Sequence, residues 1–216
     1  MRLKRRQFTA LATGVTLGCA RPRGAAAQAD PRAASDYTAI AAPVPVATPA
    51  GTVDVVEFFS FACPHCLAFE TPLEAWLERK APEIRFRRSP VPFERNFRNF
   101  QAMYFALETL GLAGTMPRRI FDAVHKEHLR LDKPEDIAAF MARNGVDAGR
   151  FMDAFTASGI AAKVTQADQL FDASGAGSVP MMMVQGRFLT SPWMARGEAR
   201  ALAVVDRLAA EIRAEG

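Results

Sequence analysis

The chain has 216 residues, half of them hydrophobic and 23% charged, which is enough for one sizeable packed domain and excludes global disorder. Its formal net charge of +4 is concentrated at the start, where Arg2, Lys4, Arg5, Arg6, Arg21, Arg23 and Arg32 are opposed only by Asp30. Removal of residues 1–29 takes six of the 27 basic residues and none of the 23 acidic ones, leaving a chain near −2 with no charge signal for nucleic-acid binding.

The first segment reads as an export signal. A basic leader, MRLKRRQF, precedes a modestly apolar stretch, FTALATGVTLGCA, that is too short for a permanent span of roughly 20 residues. Small residues at Ala27 and Ala29 form an A-x-A-like cleavage site before Asp30. The pair Arg5-Arg6 followed by Gln7-Phe8 resembles a twin-arginine signal, with an ordinary Sec signal as the alternative. Cys19, in TLGCA, weakly resembles a lipoprotein acylation site, with Thr16 where Leu is usual. Cleavage after Ala29 leaves two cysteines, Cys63 and Cys66, in a compartment where a disulfide is stable.

Residues 30–50 are rich in Ala and Pro and suit an extended arm that pairs as an edge strand near Ile40 to Val46. The β-branched and aromatic run TVDVVEFFSF predicts a central strand covered on both faces. After the cysteines, Leu67, Glu70, Leu73 and Leu77, with Trp76 beside them, have helical spacing, closed by Pro82. IRFRRSPVPF reads as a second strand, and strand–helix–strand order implies a parallel pair. Four or five helices follow, one of them with Asp132 as a candidate cap and Pro134 in its first turn. SVPMMMVQGRFLTS is a hairpin candidate turning at Gln185-Gly186, and a last helix runs to Ala214. The predicted class is α/β: a small domain interrupted by a helical insertion.

The chemistry centres on Cys63-Pro64-His65-Cys66. Cys63 falls at a strand-to-helix turn, where unpaired N–H groups and the helix dipole stabilise a thiolate. His65 adds a cationic or donating neighbour, and Pro64 restricts the turn. Cys66, one helical turn on, is within reach for a small ring. Stabilising the thiolate stabilises the reduced form, which makes the disulfide an oxidant. A structural metal competes for any C-x-x-C, but four ligands are needed and the remaining histidines, His125 and His128, stand far off in the helical middle. A structural disulfide would close too short a loop to stabilise much.

The segment EFFSFACPHC resembles the active-site segment of the DsbA family, periplasmic thiol–disulfide oxidases with a thioredoxin fold. SVPMMMVQGRF resembles that family's second active-site strand, where a Val-Pro bond is cis. The resemblance runs from about Val53 to the C-terminus. It implies a thioredoxin fold with an inserted helical domain: a signal at 1–29, fold parts at 30–93 and 173–216, and the insertion at 94–172. It also implies Cys63 as exposed nucleophile, Cys66 as buried resolving cysteine, His65 tuning the thiolate, and Val179 with cis Pro180 receiving an extended client peptide. Glu57, in the same EFFSF context, is implied as a buried carboxylate that relays a proton with Cys66. Arg88 or Arg87 would pair with it. No cofactor beyond the cysteine pair is implied. The implied partners are reduced exported proteins and a DsbB-like membrane reoxidant. A monomer is expected, and an isomerase is disfavoured because residues 30–50 cannot form the N-terminal dimerisation domain usual for isomerases of this compartment.

Other features are weaker. Met181, Met182 and Met183 read as core packing, with copper binding as the alternative. His125 and His128, flanked by Lys126 and Arg130, read as a solvated helix face. Phe93, Phe97, Phe100 and Phe105 are expected to pack the insertion, and Phe61 and Phe69 to line a client groove. Trp193 looks exposed without an assigned role. The rival readings are a copper-binding assembly protein using Cys63 and Cys66, with His65 or the methionines as further candidate ligands, and a reductase using the same cysteine pair.

Overall fold

The computed structural model describes residues 36–92 and 98–215. The leader with Cys19, and Phe93 and Phe97, lie outside the described residues. Among the described residues, no helix is long and apolar enough to cross a membrane.

The run VDVVEFF forms a strand buried along its whole length because both of its faces carry Val and Phe. It is the second of five: β1 (Thr38–Ala39), β2 (Val53–Phe59), β3 (Ile84–Pro90), β4 (Met181–Val184) and β5 (Phe188–Thr190). The sheet order is β1-β5-β4-β2-β3. β2 and β3 are parallel, joined by helix α1 (Pro64–Arg79), while β4 runs antiparallel to β2 and to β5. The β4–β5 turn, closed by Arg187 N donating to Val184 O at 2.9 Å, has both Gln185 at φ 50° and Gly186 at φ 62° in the left-handed region.

Alternation along β2 feeds two cores. Val53 and Val55 meet Phe69, Leu73 and Trp76 of α1 and the last helix, α7 (Glu198–Ala214). Val56 and Phe58 pack with Met181 and Met183 on the other face. The methionine run is therefore core: all three residues are buried, on alternate faces. α1 turns Phe69, Leu73 and Trp76 inward, each side chain contributing about 1.5–3 kcal/mol on burial. Leu67 and Leu77 are only half-buried at its flanks.

Among the described residues, five helices lie between β3 and β4: α2 (Arg98–Thr109), α3 (Pro117–His125), α4 (Pro134–Arg143), α5 (Ala148–Thr156) and α6 (Ser158–Ser174). Their core of Phe100, Leu107, Ile120, Phe121, Phe140 and Phe151 continues without a break into Phe59, Phe61, Cys63 and Cys66. The helical insertion thus packs directly under the cysteine pair.

Several expectations shift. The arm pairs earlier and more briefly than Ile40–Val46: Thr38 and Ala39 face Leu189 and Phe188. Ile40 N and Val44 N still donate to Arg187 O and Gly186 O at 2.8 Å, but Pro43 and Pro45 have no N–H with which to extend the ladder. Asp132 does not cap α4. Lys133 holds that position, while the Asp132 carboxylate pairs with Arg130 at 2.8 Å. The two-arginine ambiguity resolves by register: Glu57 faces Arg88 and pairs with it, while Arg87 pairs with Asp54.

Candidate active site

Cys63 ends the loop after β2 and occupies the N-cap of α1, with extended backbone at φ −90°, ψ 118°. Pro64 takes the first helical position, where its fixed φ suits the helix and its missing N–H leaves no bond unmade. The Cys63 carbonyl accepts from the Cys66 and Leu67 N–H groups at 3.1 and 3.2 Å. Its sulfur makes no formal cap bond, yet the Cys66 and His65 N–H groups lie close enough to favour a thiolate.

Both cysteines are present as thiols. The Cys63 thiol is pulled from 9.0 down to about 6, first by a hydrogen bond from the Cys66 thiol, then by the Cys66 and His65 N–H groups and the His65 charge. Burial opposes this. Cys66, fully buried, is pushed well above its ordinary value by burial, then by the Cys63 thiol and charge and by the charge of Glu57. One sulfur is thus ready to be an anion and the other is held as a thiol.

The Cys63 expectation needs one correction. The residue is only 2% exposed, because Val179 from the opposite end of the chain lies over it. The Cys63 Sγ is 3.6 Å from the Val179 carbonyl oxygen. Pro64 and His65 carry the exposure at this point. The Val179–Pro180 peptide bond is cis.

Beside these residues runs an open groove of about 510 Å³, lined by His65, Val179, Pro180, Pro192, Trp193 and Glu198 among others. Trp193, 89% exposed, is held at its rim by a hydrogen-bonded loop: Ala195 N donates to Ser191 O, and Gly197 N to Pro192 O. Phe61 and Phe69 are not in this groove. They are fully buried, Phe61 against Phe59, Phe100 and Phe121.

Behind the pair lies a buried charge cluster. Arg88 Nε is 2.8 Å from Glu57 Oε2, and its terminal nitrogen is 2.7 Å from Glu70 Oε1, all three side chains being at most 7% exposed. The Glu57 contact is close but poorly directed, and neither Glu57 oxygen accepts a well-formed hydrogen bond. Burial pushes Glu57 up to about 8 against the pull of Arg88, with Glu70 adding to the rise. One cation facing two buried carboxylates favours keeping a proton on one of them.

The DSBA-like thioredoxin domain matches residues 54–209. The thiol:disulfide interchange protein DsbA of Burkholderia cepacia is 34% identical over 199 residues, covering 92% of this chain and 94% of that protein.

This chain belongs to the DsbA family.

The DsbA of Pseudomonas aeruginosa is 35% identical over 192 residues, covering 88% of this chain and 90% of that protein. Its crystal structure has a TM-score of 0.80 against this one, at 33% identity, over 84% of this chain and 94% of that one. The chain is accordingly a thiol:disulfide oxidoreductase with a DsbA-type thioredoxin fold, and the family works through its own cysteine pair. Among the described residues, no group of three or more His, Cys, Asp and Glu is placed to hold a metal ion.

In this DsbA-family chain the structure brings Cys63, Pro64, His65, Cys66, Val179 and Pro180 to one end of the sheet, with Glu57 on the buried strand behind them. Sequence reasoning missed two residues there. Glu70 reads as part of a helical stripe, although its place four residues after Cys66 on the buried side marks it. His125 reads as part of a solvated helix face, yet its Nε2 lies 2.8 Å from the Phe61 carbonyl oxygen. The signal was Phe121 at i−4, whose ring it stacks on.

Proposed function

We propose that this chain is a periplasmic oxidase that donates a Cys63–Cys66 disulfide to newly exported proteins. The observation that carries the reading is the asymmetry of the pair: Cys63 at the helix N-terminus held down to about 6, and Cys66 buried and held up. Such a pair releases Cys63 readily as a thiolate, so its disulfide gives up its bond to a client.

A client thiolate attacks Cys63 Sγ. The Cys63–Cys66 bond breaks, and Cys66 leaves with its electron pair and takes a proton, for which Glu57 is the proposed carrier. The mixed disulfide sits under Val179 and Pro180, with the client segment extended beside them toward the groove. A second client thiolate attacks the client sulfur and expels Cys63 as a stabilised thiolate. Two electrons now rest on the dithiol. A DsbB-like membrane partner removes them, and no bound cofactor takes part. His65 supplies charge to the thiolate, and Pro64 fixes the turn.

The leader at 1–29 supports export to the periplasm. The placement of all five strands outside the block of insertion helices supports fold parts at 30–93 and 173–216 around an insertion at 94–172. Equilibrating the purified protein with graded glutathione and counting free thiols tests the reading. A dithiol that persists until the buffer is strongly oxidising is expected. A disulfide that survives strongly reducing buffer would make the chain a reductase.

A further inference from the structure

We propose that His125 is a positioning residue for Cys63, tying the helical insertion to the backbone two residues ahead of that cysteine. The proposal rests on the reading of Cys63 as the nucleophile.

His125 is the last residue of α3, and its Nε2 lies 2.8 Å from the Phe61 carbonyl oxygen. A carbonyl only accepts, so the proton is on Nε2. The imidazole stacks on Phe121 at 22° between planes, and Phe121 in turn packs edgewise on the Phe61 ring with centroids 5.0 Å apart. One helix therefore grips Phe61 twice, by its ring and by its backbone.

Phe61 lies inside the turn that delivers Cys63. Within that turn, Cys63 N donates to Ser60 O at 3.0 Å and Ala62 N to Ser60 Oγ at 3.2 Å. Both of those bonds are internal, and they let the turn pivot as a unit. The His125 bond anchors it to a different part of the molecule. A pivot about Phe61 would carry the Cys63 sulfur away from the N–H groups of α1. The thiolate depends on those groups and the disulfide does not, so the anchor stabilises the reduced form more than the oxidised one. The neighbouring polar residues of this stretch, Lys126, Glu127 and His128, are exposed. His125 alone among them turns inward.

The test compares the wild-type protein with H125A, H125Q and H128A in glutathione equilibria and in thiolate titrations of Cys63. H125A is expected to shift the redox equilibrium about three- to tenfold toward the disulfide, the size of one hydrogen bond, and to raise the Cys63 midpoint. H125Q, whose amide N–H can reach the same carbonyl, is expected to recover most of that shift, and H128A to leave it unmoved. A long-range 1H–15N spectrum of the wild type is expected to place the proton on Nε2. An unchanged equilibrium in H125A, equal shifts in H125A and H125Q, or a proton on Nδ1 overturns the proposal. Should H125A fail to fold, H125Q and the wild-type spectrum still decide. A wild-type disulfide that resists oxidising clients would sink the oxidase reading instead, and the wild-type-to-variant ratio keeps the two failures apart.

Discussion

Replacing Cys66 with alanine removes the thiol that donates to the Cys63 sulfur, the largest of the influences that hold Cys63 at about 6. At pH 7 a group at about 6 is about 90% thiolate, whereas an ordinary thiol at 9.0 is about 1%. Hydrogen bonds to charged groups are worth about 1.5–3 kcal/mol, or about one to two pH units. Cys63 in C66A is therefore expected to titrate between about 7 and 8, with the thiolate share at pH 7 falling to between about a half and a tenth. Ultraviolet thiolate absorbance against pH gives the midpoint, and the pH profile of alkylation rate checks it. A midpoint still near 6 would refute the reasoning, because the N–H groups and His65 would then hold the thiolate without help from Cys66. The wild type carries a linked signature. Its folded Cys63 value lies below the unfolded one, so this stabilisation is full above pH 9 and is lost as pH falls through about 6. Buried Glu57, raised to about 8, gives the opposite slope in both redox forms, so it is relative to the disulfide form that the dithiol protein should lose thermal stability from pH 9 down to below 6.

Arg88→Met should destabilise by about 3–5 kcal/mol in urea unfolding near pH 8, since it leaves Glu57 and Glu70 buried without their cation. An unchanged urea midpoint would mean the cluster is dispensable. Gly186→Ala places a Cβ 2.0 Å from the Val44 carbonyl oxygen at a φ of 62°, and should cost about 1–3 kcal/mol and expose the 40–48 arm to protease. A variant whose arm stays protected would contradict this. Trp193→Ala should raise KM for an unfolded client about tenfold and leave the glutathione equilibrium untouched, as an exposed rim anchor should. A loss in both would place Trp193 in the redox chemistry rather than at the rim.

Local chemistry made much of this fold legible. TVDVVEFF could only be a doubly covered strand, and the Cys-Pro start of α1, the Gln-Gly hairpin turn and the alternating methionines each follow from nearest neighbours. What stayed hidden depended on partners distant in the chain. The burial of Cys63 comes from Val179. The second carboxylate on Arg88 comes from a helix that reads as ordinary amphipathic. The inward turn of His125 is met by the Phe61 carbonyl, 64 residues back, which neither charge nor hydropathy of that stretch reveals. The choice of Arg88 over Arg87 needed the register of β2 against β3, which a one-residue slip would have reversed.

The sulfur of Cys63 and the carbonyl above it are separated by 116 residues. Of the two strands beside β2, β4 is likewise made from the far end of the chain. Synthesis proceeds from the N-terminus, so the two thiols exist well before the wall that will confine them. A nascent or truncated chain ending within the insertion has the reactive pair but no means of choosing what reacts with it. Under the proposed export, the order matters for passage out of the cell. A route that threads the unfolded chain delivers these thiols unguarded to the oxidising side, whereas a route that carries the finished fold delivers a site already closed over its nucleophile.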